Sequence, residues 1–243
     1  MIDFENPICI PQNIDYLINS IYQNVCSTQN KISTQSHKAK YKMQPNPLAD
    51  YEPQTTYFCI DIEANGPVPG LYDMVSLGAV VVYADNKGTL HIGNQLYLEI
   101  RPQAPRFDAK AASIHGLDQE KLMKEGLPRA EFCRQLAIWV QNNTKPNTKP
   151  TFVGHNAPFD WSFVAWTYAA ENISNPFGYK ALCTKSLGQG VLDLHWNHAS
   201  KDTMSEILKL PKEDHMQKHR ADYDAHYQAL LFIELLKRME SLP

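Results

Sequence analysis

Between Thr56 and Ile100 three stretches rich in β-branched and aromatic residues, Thr56–Glu63, Met74–Tyr83 and Gln95–Ile100, are separated by clusters of Gly, Pro, Asn and Asp. That pattern predicts three successive strands joined by two hairpins. Downstream the period changes. Phe132, Leu136, Trp139 and Val140 recur at helical spacing, the loop Asn142–Pro150 closes that helix, and a short strand is expected at Thr151–Gly154. A helix from Phe159 to about Glu171 follows. The last helix, from about Asp222 to Met239, carries Ala225, Ala229, Phe232, Leu236 and Met239 along one face. Between Tyr179 and Leu210 only short helices are expected. Strands first, then helices around a further strand, define an α/β domain in which helices pack on a mixed sheet.

This domain is expected to span 55–243, after an extension of a different character at 1–54. Ile14, Leu17, Ile18, Ile21, Tyr22 and Val25 recur at helical spacing, so an amphipathic helix is expected at about 11–26. It needs something to pack on: its own domain, a second copy or a partner protein. From Ser27 to Gln54 the chain is polar, with little apolar periodicity, and reads as a linker. Lys38, Lys40 and Lys42 form a short basic stripe there, of the kind that is usually only solvated.

A net charge of -3 supplies no global positive field, so any polyanion must be met locally. No apolar stretch approaches the ~20 residues of a membrane span. The start Met-Ile-Asp-Phe-Glu lacks the positive charge of a secretory signal, and the five scattered cysteines contain no paired spacing. A cytoplasmic, membrane-free location is expected.

Three clusters carry chemistry. In a strand through Phe58–Gly66, residues two apart share a face, so Asp61 and Glu63 point one way while Phe58, Ile60 and Ile62 point the other. Two like charges at the end of an apolar strand are costly unless cations or strong hydrogen bonds accompany them; two solvated acids on an edge strand would read the same. The second cluster, Gly154-His155-Asn156-Ala157-Pro158-Phe159-Asp160, turns a short strand into a helix with an acid in its first turn, where the helix dipole alone would favour one. The third, His219-Arg220-Ala221-Asp222-Tyr223-Asp224, opens the last helix. His219 and Asp224 would lie about 140° apart on a regular helix, so they converge only if His219 precedes it.

Asp-x-Glu at 61 and 63, Gly-His-Asn-x-x-Phe-Asp at 154–160 and His-x-Ala-x-x-Asp at 219–224, in that order, resemble the three motifs of the DEDDh 3'-5' exonucleases. The resemblance spans roughly 55–236. It implies a ribonuclease H-like fold, a five-stranded mixed sheet whose first three strands are antiparallel, flanked by helices. It also implies that Asp61, Glu63, Asp160 and Asp224 hold two Mg2+ or Mn2+ ions, that His219 is the general base, and that nucleoside 5'-monophosphates leave a single-stranded 3' end of DNA or RNA. Arg220 stands where a sibling subgroup has Tyr, so the His subgroup fits. Ile114-His115-Gly116 is similar to a substrate-side segment of the family. Many relatives follow the first Glu with Thr or Ser; here Ala64-Asn65-Gly66 would have to contact the terminal nucleotide, with Asn156, and with His115 and Phe159 as stacking groups for its base. Phe159 at a strand end is as often core.

Physical chemistry supports the same arrangement. Carboxylates about 5 Å apart repel by about 3 kcal/mol per pair at an effective dielectric of 20, so four assemble only around cations. All-oxygen ligands favour Mg2+ or Mn2+ over zinc, and two such ions suit in-line displacement at phosphorus. Other chemistries fit worse. His195, His198, His215 and Cys183 lack zinc-site spacing, Gly188-Gln189-Gly190 lacks a dinucleotide fingerprint, and no Gly-x-Ser-x-Gly elbow is present. A catalytically silent nucleic-acid-binding or partner-docking module of the same fold is the alternative. A binder has no use for clustered negative charge near phosphate.

Overall fold

The computed structural model describes residues 55–214 and 216–241. The expected N-terminal helix at 11–26, the linker, the lysine stripe and His215 lie outside them. Five strands form one sheet in the order β3-β2-β1-β4-β5. They are β1 (Thr55–Ala64), β2 (Met74–Ala84), β3 (Leu90–Glu99), β4 (Lys149–Gly154) and β5 (Ala181–Cys183). β1 pairs antiparallel with β2, and β2 with β3, while β4 runs parallel to β1 and β5 to β4. The helices are α1 (Ala109–His115), α2 (Gln119–Glu125), α3 (Arg129–Asn143), α4 (Pro158–Ala170), α5 (Thr184–Val191), α6 (Lys201–Ile207) and α7 (Ala221–Glu240). This is the five-stranded mixed sheet with three antiparallel leading strands that the resemblance implied. None of the described helices is long and apolar enough to cross a membrane.

The central position of β1 explains its composition. Phe58, Cys59 and Ile60 are all fully buried, because both faces of the strand are covered. On one face Phe58, Ile60 and Ile62 pack with Phe132, Leu136 and Val140 of α3 and Phe163 and Val164 of α4. On the other, Cys59, Val80, Val82 and Val153 pack under Ala225, Ala229 and Phe232 of α7. Asp61 and Glu63 belong by parity to the α7 face, just where the apolar contact gives out. Gly78 makes that approach possible. It is paired with Asp61 across β1 and β2, and a Cβ there would overlap the carbonyl of Ala221, the first residue of α7. A third cluster, with Met204 of α6 and Val191 of α5 against Leu231 and Leu235, ties the short helices to the outer side of α7.

Some boundaries differ from expectation. β3 begins at Leu90 rather than Gln95 and ends at Glu99, with Ile100 in an isolated bridge to Leu127. β3 is an edge strand whose first half leaves His91 and Asn94 exposed, so backbone pairing with β2 carries it without apolar alternation. β5 is only three residues long, inside the stretch expected to hold short helices alone. α1 and α2 were not anticipated; each starts at an aspartate, Asp108 and Asp118, whose side chain accepts hydrogen bonds from backbone amides of the first turn.

Candidate active site

In an open α/β sheet the carboxyl ends of the strands face the crevice where ligands sit. β1 ends there with Asp61 and Glu63, and β4 ends beside it at Gly154. The turn after β4 runs through Asn156 in the left-handed region (φ 60°), which asparagine tolerates better than most residues, and its carbonyl accepts from the Phe159 amide at 3.0 Å. Asp160, in the first turn of α4, then points back at β1: its Oδ1 accepts from the Ile62 amide at 3.2 Å. Asp224 reaches the same place from the first turn of α7. His219 lies two residues before that helix, also in the left-handed region (φ 67°), and its amide donates to Asp224 Oδ2 at 2.8 Å. The loop thus folds back over the helix start. Ligand atoms of Glu63, His219 and Asp224 all lie within 4.8 Å of one another, and among the described residues this is the trio of metal-binding side chains that converges. The zinc reading on Cys183, His195 and His198 gains no such convergence.

Electrostatics mark the cluster as one that needs cations. Burial, more than the partly compensating Lys201 ammonium, pushes the Asp61 carboxyl up to about 7. Burial and then the charges of Asp61, Asp224 and Asp160 push Glu63 up to about 9. Asp160 is raised well above the ordinary range, by burial first and Asp61 second. Acids so placed hold protons near neutral pH unless positive charge replaces them. The donor set is mainly carboxylate oxygen, so the residues fit a hard divalent ion.

A cleft of about 360 Å³ opens beside Glu63, bounded among others by Ala64, Gly66, Lys110, Ile114 and Phe159. Phe159 is 37% exposed and packs edge-on against Phe163 at 5.2 Å, so it serves core and cleft together. Three expected contact residues do not line this cleft: Asn65, His115 and Asn156. Asn65 is 3% exposed and His115 7%. Asn65 Oδ1 faces His115 Nε2 at 3.2 Å and accepts from Gln119 Nε2, while Asn65 Nδ2 donates to Gln119 Oε1. Their side chains therefore brace the turn after β1 and face each other and Gln119, whereas stacking by His115 and nucleotide contact by the Asn65 side chain were expected. Asn156 is exposed but shapes the β4–α4 turn rather than lining the cleft.

Other residues of the site escaped the sequence reading. Gln228, fully buried on α7, donates to the carbonyls of Val153 (2.8 Å) and Ile60 (3.4 Å) and accepts from the His155 amide, stitching β1, β4 and α7 together under the acids. His155 Nδ1 lies 3.0 Å from Thr184 Oγ1, and burial followed by the Lys201 and Lys185 charges pushes its pKa down to about 4, so it is a neutral support. Lys201, at the start of α6, places Nζ 3.6 Å from Asp61 Oδ1 and 3.4 Å from Asp224 Oδ1. Burial works against its charge, but the surrounding carboxylates outweigh that and hold its pKa above the usual value.

A ribonuclease H-like sheet whose carboxyl edge gathers acids from three elements beside a histidine defines a nuclease class. The chain belongs to the exonuclease family described by the RNase_T exonuclease model, which matches residues 58–232, and is a 3'-5' exonuclease. That family depends on divalent metal. The chain is 35% identical over 176 residues to the 3'-5' DNA exonuclease Cap18 of Escherichia coli, covering 72% of this chain and 89% of that one. It is 26% identical to ribonuclease T of Buchnera aphidicola, over 75% of this chain and 84% of the relative. The nuclease domain of 3'hExo, a DEDDh family member, superposes with a TM-score of 0.62 at 13% identity, over 76% of this chain and 92% of the other, a likeness of fold.

Proposed function

We propose that this chain removes nucleotides one at a time from a single-stranded 3' end, releasing nucleoside 5'-monophosphates with the help of two Mg2+ or Mn2+ ions. The observation that carries the reading is the approach of Asp61, Glu63, Asp160 and Asp224 to one another at the carboxyl end of β1, next to His219. Asp61, Glu63, Asp160 and Asp224 would hold the ions, which supply a Lewis acid for the phosphodiester and positive charge against which the phosphate can bind. His219 is exposed at the mouth of the cluster, where an imidazole nitrogen can take the proton of the attacking water as the 3' oxygen leaves. The cleft by Ala64, Gly66 and Phe159 receives the terminal nucleoside, with Phe159 offering an aromatic face to its base. DNA is the favoured polymer, because the relative at 35% identity is a DNA exonuclease. A silent binding module is disfavoured, since these acids would repel phosphate to no purpose.

The test is a panel of 5'-labelled single-stranded DNA, RNA and dinucleotides, incubated with Mg2+ or Mn2+ and then with EDTA. Stepwise shortening from the 3' end that stops on chelation is expected, with DNA degraded fastest. Shortening that survives EDTA, or none in either ion, would overturn the proposal.

A further inference from the structure

Lys201 is out of place by local rules. It is the first residue of α6, directly after the Ser200 cap, at the end of a helix where an acid rather than a cation is favoured. Its helix is nonetheless firmly held: Met204, fully buried, packs against the α7 side chains Leu231 and Leu235. The lysine therefore stands on a fixed support, and its position is explained by the acids it meets. Nζ lies within 3.6 Å of one oxygen each of Asp61 and Asp224, on a side chain only 20% exposed. Those carboxylates come from different elements, and the ammonium bridges them.

Resting on the nuclease reading above, we infer that Lys201 is a tethered cation that competes with divalent ions for Asp61 and Asp224, and so sets the metal affinity of the site. An ammonium and a divalent ion repel each other, so they do not share these oxygens at full strength. Because the lysine is covalently held, its local concentration is high and independent of the medium, and metal uptake must displace or weaken its contacts. A displaced ammonium would turn to Glu213. Glu213 is near enough to act on Lys201 electrostatically. Its Oε2 lies 3.3 Å from Lys218 Nζ, while its buried Oε1 has no hydrogen-bond partner among the described residues. A lysine leaving Asp61 and Asp224 would have that unsatisfied carboxylate oxygen as its new partner.

Calorimetric titration of the EDTA-treated, dialysed full chain with Mn2+ tests this. Lys201→Met, which keeps length and removes charge, is expected to bind Mn2+ about tenfold tighter or more, and Lys201→Arg to stay within about threefold of the parent. Glu213→Gln, which removes that carboxylate, is expected to weaken Mn2+ binding several-fold, and it tests the inference even if Lys201→Met does not fold. In EDTA near neutral pH, Lys201→Met is expected to melt lower than the parent. Unchanged or weaker Mn2+ binding by Lys201→Met, or an unaltered affinity in Glu213→Gln, would overturn the inference. Asp61→Asn separates the two levels: if it binds Mn2+ as the parent does, the metal-site reading itself fails, whereas its loss of binding beside an unaffected Lys201→Met defeats this inference alone.

Discussion

Replacing Glu63 by Gln should make the chelated protein more stable, by an amount that grows with pH. In the folded protein burial and the neighbouring acids push the Glu63 carboxyl from 4.5 up to about 9. Near pH 7.5 the native state therefore keeps a proton that the unfolded chain has released. A group that binds its proton more tightly when folded makes stability fall as pH rises, here between about 4.5 and about 9. Three tenfold steps in proton activity separate 4.5 from about pH 7.5, each worth about 1.4 kcal/mol, which sets a ceiling of about 4 kcal/mol. Glu63 is half-buried, so water screens part of this, and about 2 kcal/mol is a fair expectation. For a domain of this size that is a rise in Tm of about 4–8 °C at about pH 7.5, shrinking below about 2 °C near pH 5. Thermal melts of parent and Glu63→Gln in EDTA across that range measure it. Saturating Mn2+ should then reverse the order, because the ion takes the place of the proton in the parent and finds a poorer ligand in the variant. A difference that does not change with pH, or a variant less stable than the parent in EDTA at about pH 7.5, would refute the reasoning.

His219→Ala should lower turnover by about a hundredfold or more while leaving Mn2+ binding in calorimetry nearly intact, as loss of a general base requires; an equal loss of ion binding would make His219 a ligand, as its place in the trio with Glu63 and Asp224 also allows. Asp224→Asn should weaken ion binding and turnover together, whereas Asp222→Asn, whose carboxylate pairs with Arg220 at 3.0 Å, should change neither by more than about twofold. Gly78→Ala forces a methyl against the Ala221 carbonyl, so it should cost about 1–3 kcal/mol in a denaturant melt and, by shifting the start of α7, depress turnover more than substrate binding.

The parts of the site legible in the sequence are those written in short motifs on regular elements. Asp61 and Glu63 sit in an apolar strand whose period of two assigns them a common face, and Asp160 and Asp224 fall in the first turns of helices with clear apolar periodicity. Lys201 had no such frame. It lies on a seven-residue helix in a stretch without sustained periodicity, and a lone lysine there reads as solvated surface. Only the packing of Met204 beneath α7 brings it to the acids. Asn65 and His115 are the opposite case. Their polar side chains beside a motif suggest ligand contact, but whether such a side chain faces outward depends on what α1 and α2 place behind it, here Gln119. A usable signal existed: Asp108 followed by Gly116, and Asp118 followed by Gly126, are helix start and stop residues at the spacing of two short helices.

One helix couples stability to chemistry. The middle of α7 is ordinary core, with Ala225, Ala229 and Phe232 on the sheet. Its small residues matter because they let the axis approach β1 and β2 closely, and Gly78 removes the last obstacle at the level of Asp61. That approach has two consequences. It brings Asp224 among the other acids, a placement that disfavours the fold without cations. It also lets Gln228, one turn further on, bond the carbonyls of Ile60 and Val153 and the amide of His155. A buried network of that kind holds only while every member is paired, so it fixes the helix in register against the strands. The repulsion among the acids is thus opposed by hydrogen bonds less than two turns away on the same helix. A variant such as Gln228→Leu, which spares every acid, should therefore loosen metal binding by letting Asp224 move.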